Sequence, residues 1–285
     1  MKYTALTIAL LTSAAALVSG TVSAAECKAV FGDGKQEFIL ATGSPGELGL
    51  LEALADAFNP AHDSRMCWVK AGSGKSLSLL KDGQVDMVMV HAPAAEKQAV
   101  KDGWAAQRTL IGSNEFYLVG PAADQGQVQQ AKSVAEAYAN IAANQALFYT
   151  RADNSGTHKK ELSIWQSADI KPVGDWYQPT NDFMRASLKK ADANGGYFMT
   201  DSSTWVATRK ELPNLTILFK GDPVLINTYH ALRASDLNDQ GVSLSQAFIE
   251  FVASDKGQQI ITDYGVAEHG QAMYDNAVVA AKYDH

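Results

Sequence analysis

Short apolar runs alternate with helix-period segments from residue 37 onward, and this alternation restricts the fold more than any other feature of the chain. Neighbouring parallel strands need a crossover long enough to hold a helix, so strand, helix, strand in repetition predicts an α/β protein with largely parallel sheets. Residues 37–41 read as the first strand. The loop Thr42-Gly43-Ser44-Pro45-Gly46-Glu47 follows, then a helix with Leu50, Leu54 and Phe58 on one face. Residues 67–70 read as a second strand, and Gly72-Ser73-Gly74 leads into a helix bearing Leu77 and Leu80. Further strands are expected at 87–90, 116–119, 197–200 and 215–219, with helices around 183–193, 243–253 and 256–264. Ser133 and Glu136 have the spacing of a capping box. Residues 122–130, rich in Ala, Gln, Asp and Gly, read as a surface passage between lobes. There is no internal repeat.

The chain opens on what reads as an export signal over residues 1–25. Lys2 supplies the basic start, residues 6–18 an apolar core too short to span a bilayer, and Val22-Ser23-Ala24-Ala25 a small-residue cleavage site. Cys27 is a poor match to a lipid-anchoring position, so the mature protein is expected to be soluble and exported, into the periplasm. Cleavage leaves 260 residues, long enough for two lobes, and moves the formal charge from −7 to −8 by removing one lysine. An acidic protein is a poor general binder of nucleic acid or anionic membrane, so any anion must be held by a local site. Cys27 and Cys67 are the only cysteines. In an oxidising compartment they are expected to form one disulfide, whose 40-residue loop is worth roughly 4 kcal/mol on the chain-entropy model.

The segment FYTRADNSGTHKKELSIW, residues 148–165, reads as strand, polar loop and helix. Asp153, Asn154 and Ser155 are capping types, and an apolar helical face is expected at Leu162 and Trp165. A helix N-terminus presents unpaired N–H groups and partial positive charge, and Arg151 adds a fixed planar cation one turn earlier. Arg151, Ser155, Gly156 and Thr157 could therefore hold a small oxyanion; an ordinary capped helix with a solvated arginine is the competing reading. Ser73-Gly74-Lys75-Ser76 resembles a phosphate loop but lacks the earlier glycine, where Val69 stands, so an ATPase is excluded. The six histidines form no HExxH pair or Cys/His cluster, so no protein-bound cation and no cofactor are expected.

Several segments together resemble the tungstate-binding proteins of bacterial ABC importers, within the periplasmic solute-binding superfamily of the phosphate- and molybdate-binding type. They are ILATGSPGELGLLEALADAF, VKAGSGKSLSLLKDGQVDMVMVHAPAAEK, TRADNSGTHKKELSIW, GGYFMTDSSTW, FKGDPVLINTYHAL and FIEFVASDKGQQIITDYG, in order over nearly the whole mature chain. The resemblance implies a type II periplasmic binding protein fold, with a ligand cleft between two α/β lobes joined by a two-strand hinge. Residues 26–118 with 230–285 would form lobe 1 and 119–229 lobe 2, with crossings near 116–121 and 227–232. Thr42, Ser44, Ser73 and Gly74 from lobe 1 would face Arg151, Ser155, Gly156 and Thr157 from lobe 2. The partners implied are a small anionic ligand, most of all tungstate or molybdate, and an inner-membrane permease; the receptor itself would be a monomer and not an enzyme.

The chain departs from the family pattern where Gly43, Pro45 and Leu48 replace hydroxyl residues, where Glu47 brings a carboxylate to the rim, and at Thr180-Asn181-Asp182-Phe183-Met184. Lys75 could offset Glu47 and help hold a dianion, but a solvated lysine is the favoured reading. Asp201 reads as a helix cap, and Tyr197, Thr200 and Thr204 as candidates to border the cleft. Three alternatives remain: the same fold holding an organic anion through the altered 42–48 loop, an exported adhesin, and an exported enzyme using Ser44 or Ser155 with His91 and Asp153. The enzyme lacks a GxSxG elbow or any supporting spacing.

Overall fold

The computed structural model describes residues 25–235 and 239–284, with backbone only for 239–243. The export signal therefore lies outside the described residues, save Ala25. The strands are β1 (Ala29–Phe31), β2 (Gln36–Thr42), β3 (Ser64–Lys70), β4 (Met87–Val90), β5 (Ala105–Pro121), β6 (Phe148–Thr150), β7 (Tyr177–Pro179), β8 (Tyr197–Asp201), β9 (Leu215–Phe219), β10 (Ile226–Ala234) and β11 (Asp275–Asn276). The helices that matter here are α1 (Ser44–Glu47), α2 (Leu50–His62), α3 (Ser73–Lys81), α4 (Pro93–Lys101), α5 (Val134–Ala143), α6 (Gly156–Ser167), α7 (Met184–Asn194), α8 (Ser202–Thr208), α9 (Asp239–Ala253) and α10 (Asp255–Asp263).

Strand order is β1-β3-β2-β4-β10-β5-β8-β6-β7, with β11 and β9 also on β5. The pairs β2–β3, β2–β4, β6–β7 and β6–β8 are parallel, while β5 and β10 run antiparallel to their neighbours. The sheets are thus mixed rather than largely parallel. The physical reason is β5, a 17-residue strand that serves both strand groups. Its first part pairs with β10 from Ala105↔Ala234 to Glu115↔Ile226, and its last part pairs with β8 and β9. Only residues 116–119 of β5 were legible as an apolar run; the earlier part carries polar residues that are held by backbone pairing.

Each strand group has apolar clusters of its own. Phe38, Leu54 and Phe58 pack with Phe248 of α9 in the first group, and Leu77, Leu80, Val88 and Leu232 form a second cluster there. In the second group Tyr138, Phe148 and Trp165 form one cluster, and Met184, Leu188, Phe198 and Trp205 another. Each fully buried side chain of this size contributes about 1.5–3 kcal/mol. On α6 the buried stripe is Thr157, Glu161, Ile164 and Trp165, whereas Leu162 is 44% exposed. The expected Leu162–Trp165 face is therefore corrected: i, i+4, i+7, i+8 spacing from Thr157 turns Leu162 outward. Ser133 caps α5 by accepting from the Glu136 N–H, and Glu136 Oε2 accepts from the Lys132 N–H. Cys27 and Cys67 form the expected disulfide, with Cα atoms 5.4 Å apart, fastening the segment before β1 to β3.

Candidate functional site

Four connections deliver the candidate residues to one place. Strands β2, β3 and β4 end at Thr42, Lys70 and Val90, and each passes directly into the start of a helix: α1, α3 and α4. From the second group β6 ends at Thr150, and Arg151 to Ser155 lead into α6. Ligand crevices of open α/β sheets lie outside the carboxyl ends of parallel strands, where helix N-termini gather. Here the two sets of carboxyl ends face one another. Thr42, Ser44 and Ser73 of the first group share a small cavity, of about 10 Å³, with Arg151 and Ser155 of the second. Pro45, Gly72, His91, Phe183 and Tyr229 complete most of its wall.

Arg151 is 4% exposed. Its Nη2 donates to Asp153 Oδ2 at 2.5 Å, and its Nε is buried with no hydrogen-bond partner among the described residues. A buried donor on a fixed cation normally finds an acceptor, so this nitrogen is unusual in having none. The loop that holds it is conformationally demanding: Ala152 and Asn154 have φ of 51° and 58°, in the left-handed region. Local bonds hold that shape. Asp153 Oδ1 accepts from the Ser155 N–H, His158 Nδ1 accepts from the Asn154 N–H, and the Arg151 carbonyl accepts from the Asn181 N–H. Ser155 lines the cavity and caps α6 by accepting from the His158 N–H at 3.3 Å. Gly156 and Thr157 open the helix, and both are buried.

On the facing side, the Thr42 hydroxyl donates to the Met89 carbonyl at 2.8 Å, so its single proton is spent on the scaffold. Ser73 Oγ accepts from the His91 N–H at 3.2 Å, and Ser73 is the first residue of α3. Gly74 plays a different part from the ligand contact expected of it. It is not in the cavity wall; a Cβ there would lie 2.5 Å from the Asn154 carbonyl oxygen. Gly72 meets Ser155, and a Cβ at Gly156 would lie 2.4 Å from the His91 ring. The bare backbone at Gly74 and Gly156 is what lets α3 and the His91 turn approach the 151–156 loop.

Glu47 is paired with Lys70 at 2.9 Å, not with Lys75. Lys70 ends β3 beside the α1 turn, so the nearer cation wins. The rim carboxylate is thereby neutralised. The His91 ring is partly buried, and its Nδ1 lies 2.9 Å from Asn227 Oδ1. Burial is the main cause that pulls its pKa down to about 4; Arg151 and Lys160 push the same way, against the Asn227 bond. It is a neutral wall at physiological pH, tied through Asn227 to Asn114 and from there to Ser203. Asp153 pairs with Arg151, so no His91–Asp153 relay is assembled. Asp201 caps α8, accepting from the Thr204 N–H at 2.9 Å and its hydroxyl at 2.8 Å, as its residue type suggested. Tyr197 lies away from the cavity, its hydroxyl donating to Asp124 and accepting from the Gly126 N–H. Beneath the α6 start, burial pushes Glu161 up to about 7, opposed by bonds from Tyr177, Thr150 and Trp165 and reinforced by Asp153. Sequence reasoning missed Phe183, Tyr229, Asn227 and Lys70, which are brought in by crossings and strand ends and carry no motif of their own.

A family model described as a PBP superfamily domain matches residues 13–256. The chain belongs to the PBP superfamily. Within it the chain is 33% identical over 245 residues to the tungstate-binding protein TupA of Peptoclostridium acidaminophilum, covering 84% of this chain and 85% of that one. The tungstate ABC transporter structure from Geobacter sulfurreducens is similar with a TM-score of 0.73 at 32% identity, covering 81% of this chain and all of that one. The tungstate-binding protein TupA from Desulfovibrio alaskensis G20 is similar with a TM-score of 0.68 at 35% identity, over 85% and 98% of the two chains. The resemblance read from the motifs is therefore a family relationship, and the α/β periplasmic-binding-protein architecture is the one observed.

Proposed function

We propose that the chain is an exported solute-binding receptor of an ABC importer that closes over a small tetrahedral oxyanion, tungstate or molybdate. The observation that carries this reading is the buried Arg151 guanidinium, held by Asp153, with an Nε unpartnered among the described residues, lining a cavity shared by both strand groups. Residues 26–118 with 230–285 and residues 119–229 act as the two lobes, hinged where β5 and β10 run side by side. Arg151, the Ser155 hydroxyl and the N–H groups opening α6 and α3 replace the anion's water shell, Ser44 adds a hydroxyl from the facing turn, and Thr42 fixes that turn from behind. The helix N-termini and the guanidinium supply the positive field. Pairing with Lys70 removes the charge objection that Glu47 raises. No bond is made or broken, so the protein acts by capture and presentation to a membrane permease, as a periplasmic monomer after loss of residues 1–25.

The test is calorimetry on mature, ligand-stripped protein with tungstate, molybdate, sulfate and phosphate in one buffer. Tight binding of tungstate or molybdate over the other two is expected. Absence of heat with all four would overturn the oxyanion reading.

A further inference from the structure

Phe183 comes from the second strand group, immediately before α7, and its ring meets cations from both sides of the cleft. Lys70 Nζ lies 4.2 Å from the ring centroid and Arg151 Cζ 5.5 Å from it. Lys70 is paired with Glu47 and Arg151 with Asp153. Two cations near one ring would otherwise repel; here each brings its own carboxylate. Glu47, Lys70, Phe183, Arg151 and Asp153 thus form a chain of alternating charge centred on a neutral ring. A cation attracts an aromatic face only within about 6 Å. Lys70 and Phe183 stand in different strand groups, so this contact exists only while the cleft is shut. Phe183 also walls the cavity in which Arg151 sits.

We infer that Lys70 and Phe183 form a clasp across the closed cleft, with Phe183 positioning the Arg151 guanidinium, and that this clasp sets how long a captured anion is retained. The inference rests on the anion reading given above. The open form lacks the clasp, so entry does not depend on it; release must break it.

The experiment is stopped-flow tungstate binding to the mature protein, comparing wild type, Phe183→Leu, Phe183→Tyr, the charge-neutral pair Glu47→Gln with Lys70→Gln, and the triple variant carrying Phe183→Leu on that pair. Phe183→Leu should release tungstate about two- to thirty-fold faster. Phe183→Tyr, which keeps the aromatic face, should restore slow release. The neutral pair should also speed release, and adding Phe183→Leu to it should speed release by a smaller factor than Phe183→Leu does in wild type, because only the Arg151 contact remains to be lost. An unchanged release rate in Phe183→Leu, or effects that multiply in the triple variant, would overturn the clasp. If wild type binds none of the four anions, the anion reading has failed, and the clasp is judged on ligand-free protein by spin-label distances between Asp56→Cys and Gln166→Cys. A larger closed fraction in wild type than with Phe183→Leu supports it; equal fractions refute it.

Discussion

Replacing Arg151 by alanine is expected to abolish tight anion binding while leaving the fold in place. The guanidinium is buried against one carboxylate, Asp153, at 2.5 Å, its Nε has no hydrogen-bond partner among the described residues, and the residue lines the cavity. Truncation removes the positive partner and leaves Asp153 in place, so the local charge falls from zero to minus one just where a dianion must enter. Losing one partner of a buried, hydrogen-bonded charge pair costs about 2–5 kcal/mol, which is about 30- to 5,000-fold in Kd. Part of that loss comes from the stranded carboxylate. Arg151→Ala with Asp153→Ala should therefore bind about threefold or more tighter than Arg151→Ala alone, though still far below wild type. Calorimetry gives the affinities, and thermal unfolding followed by circular dichroism checks that the variants fold. An Arg151→Ala protein that binds within threefold of wild type would refute the site. A double variant no better than the single would refute the charge argument.

Gly74→Val should leave stability nearly unchanged in the open form but weaken binding at least tenfold, because its Cβ would collide with the Asn154 carbonyl on closure; small-angle scattering with and without tungstate would show a protein that stays open. Two groups should give opposed pH dependences. His91, lowered to about 4, binds fewer protons folded than unfolded, so its contribution is full above about pH 6.5 and is lost as pH falls toward 4. Glu161, raised to about 7, binds more protons folded, so its contribution is full below about pH 4.5 and is lost as pH rises toward 7. Each shift corresponds to roughly 3 kcal/mol. Urea unfolding between pH 4.5 and 6.5 should therefore show stability falling with pH in His91→Gln and rising in Glu161→Gln, relative to wild type; parallel slopes would refute the assignment. Cys27→Ser with Cys67→Ser should lower unfolding stability by roughly 4 kcal/mol, and reductant should reproduce the loss in wild type.

The sequence announced those parts of this molecule that rest on local rules. β2, β3, β4 and β9 are short apolar runs, α2 and α3 follow a helical period, and Ser133, Ser155 and Asp201 are caps whose chemistry shows in the residue type. Arg151 stood out because a fixed cation ahead of a capped helix suits an anion, although a solvated arginine fits the same residues. What stayed hidden depends on two distant segments meeting. The first part of β5 lacks an apolar pattern, since its partners are the backbone groups of β10, more than a hundred residues later. Lys70 is one lysine among many until β3 ends beside α1 and Phe183 arrives from the other strand group. Gly74 was read as a ligand-approach glycine, yet its missing Cβ admits the Asn154 carbonyl instead. The same local feature, a glycine at a helix start, serves an anion or a closing surface equally well. Only the position of the opposite loop decides which, and that position is a property of the closed pair rather than of either segment. Departures from the family pattern at Glu47 and at residues 180–184 follow the same logic. Read singly, one adds a repelling charge and the other replaces a flexible turn; together they supply Lys70's partner and the ring on which Lys70 rests.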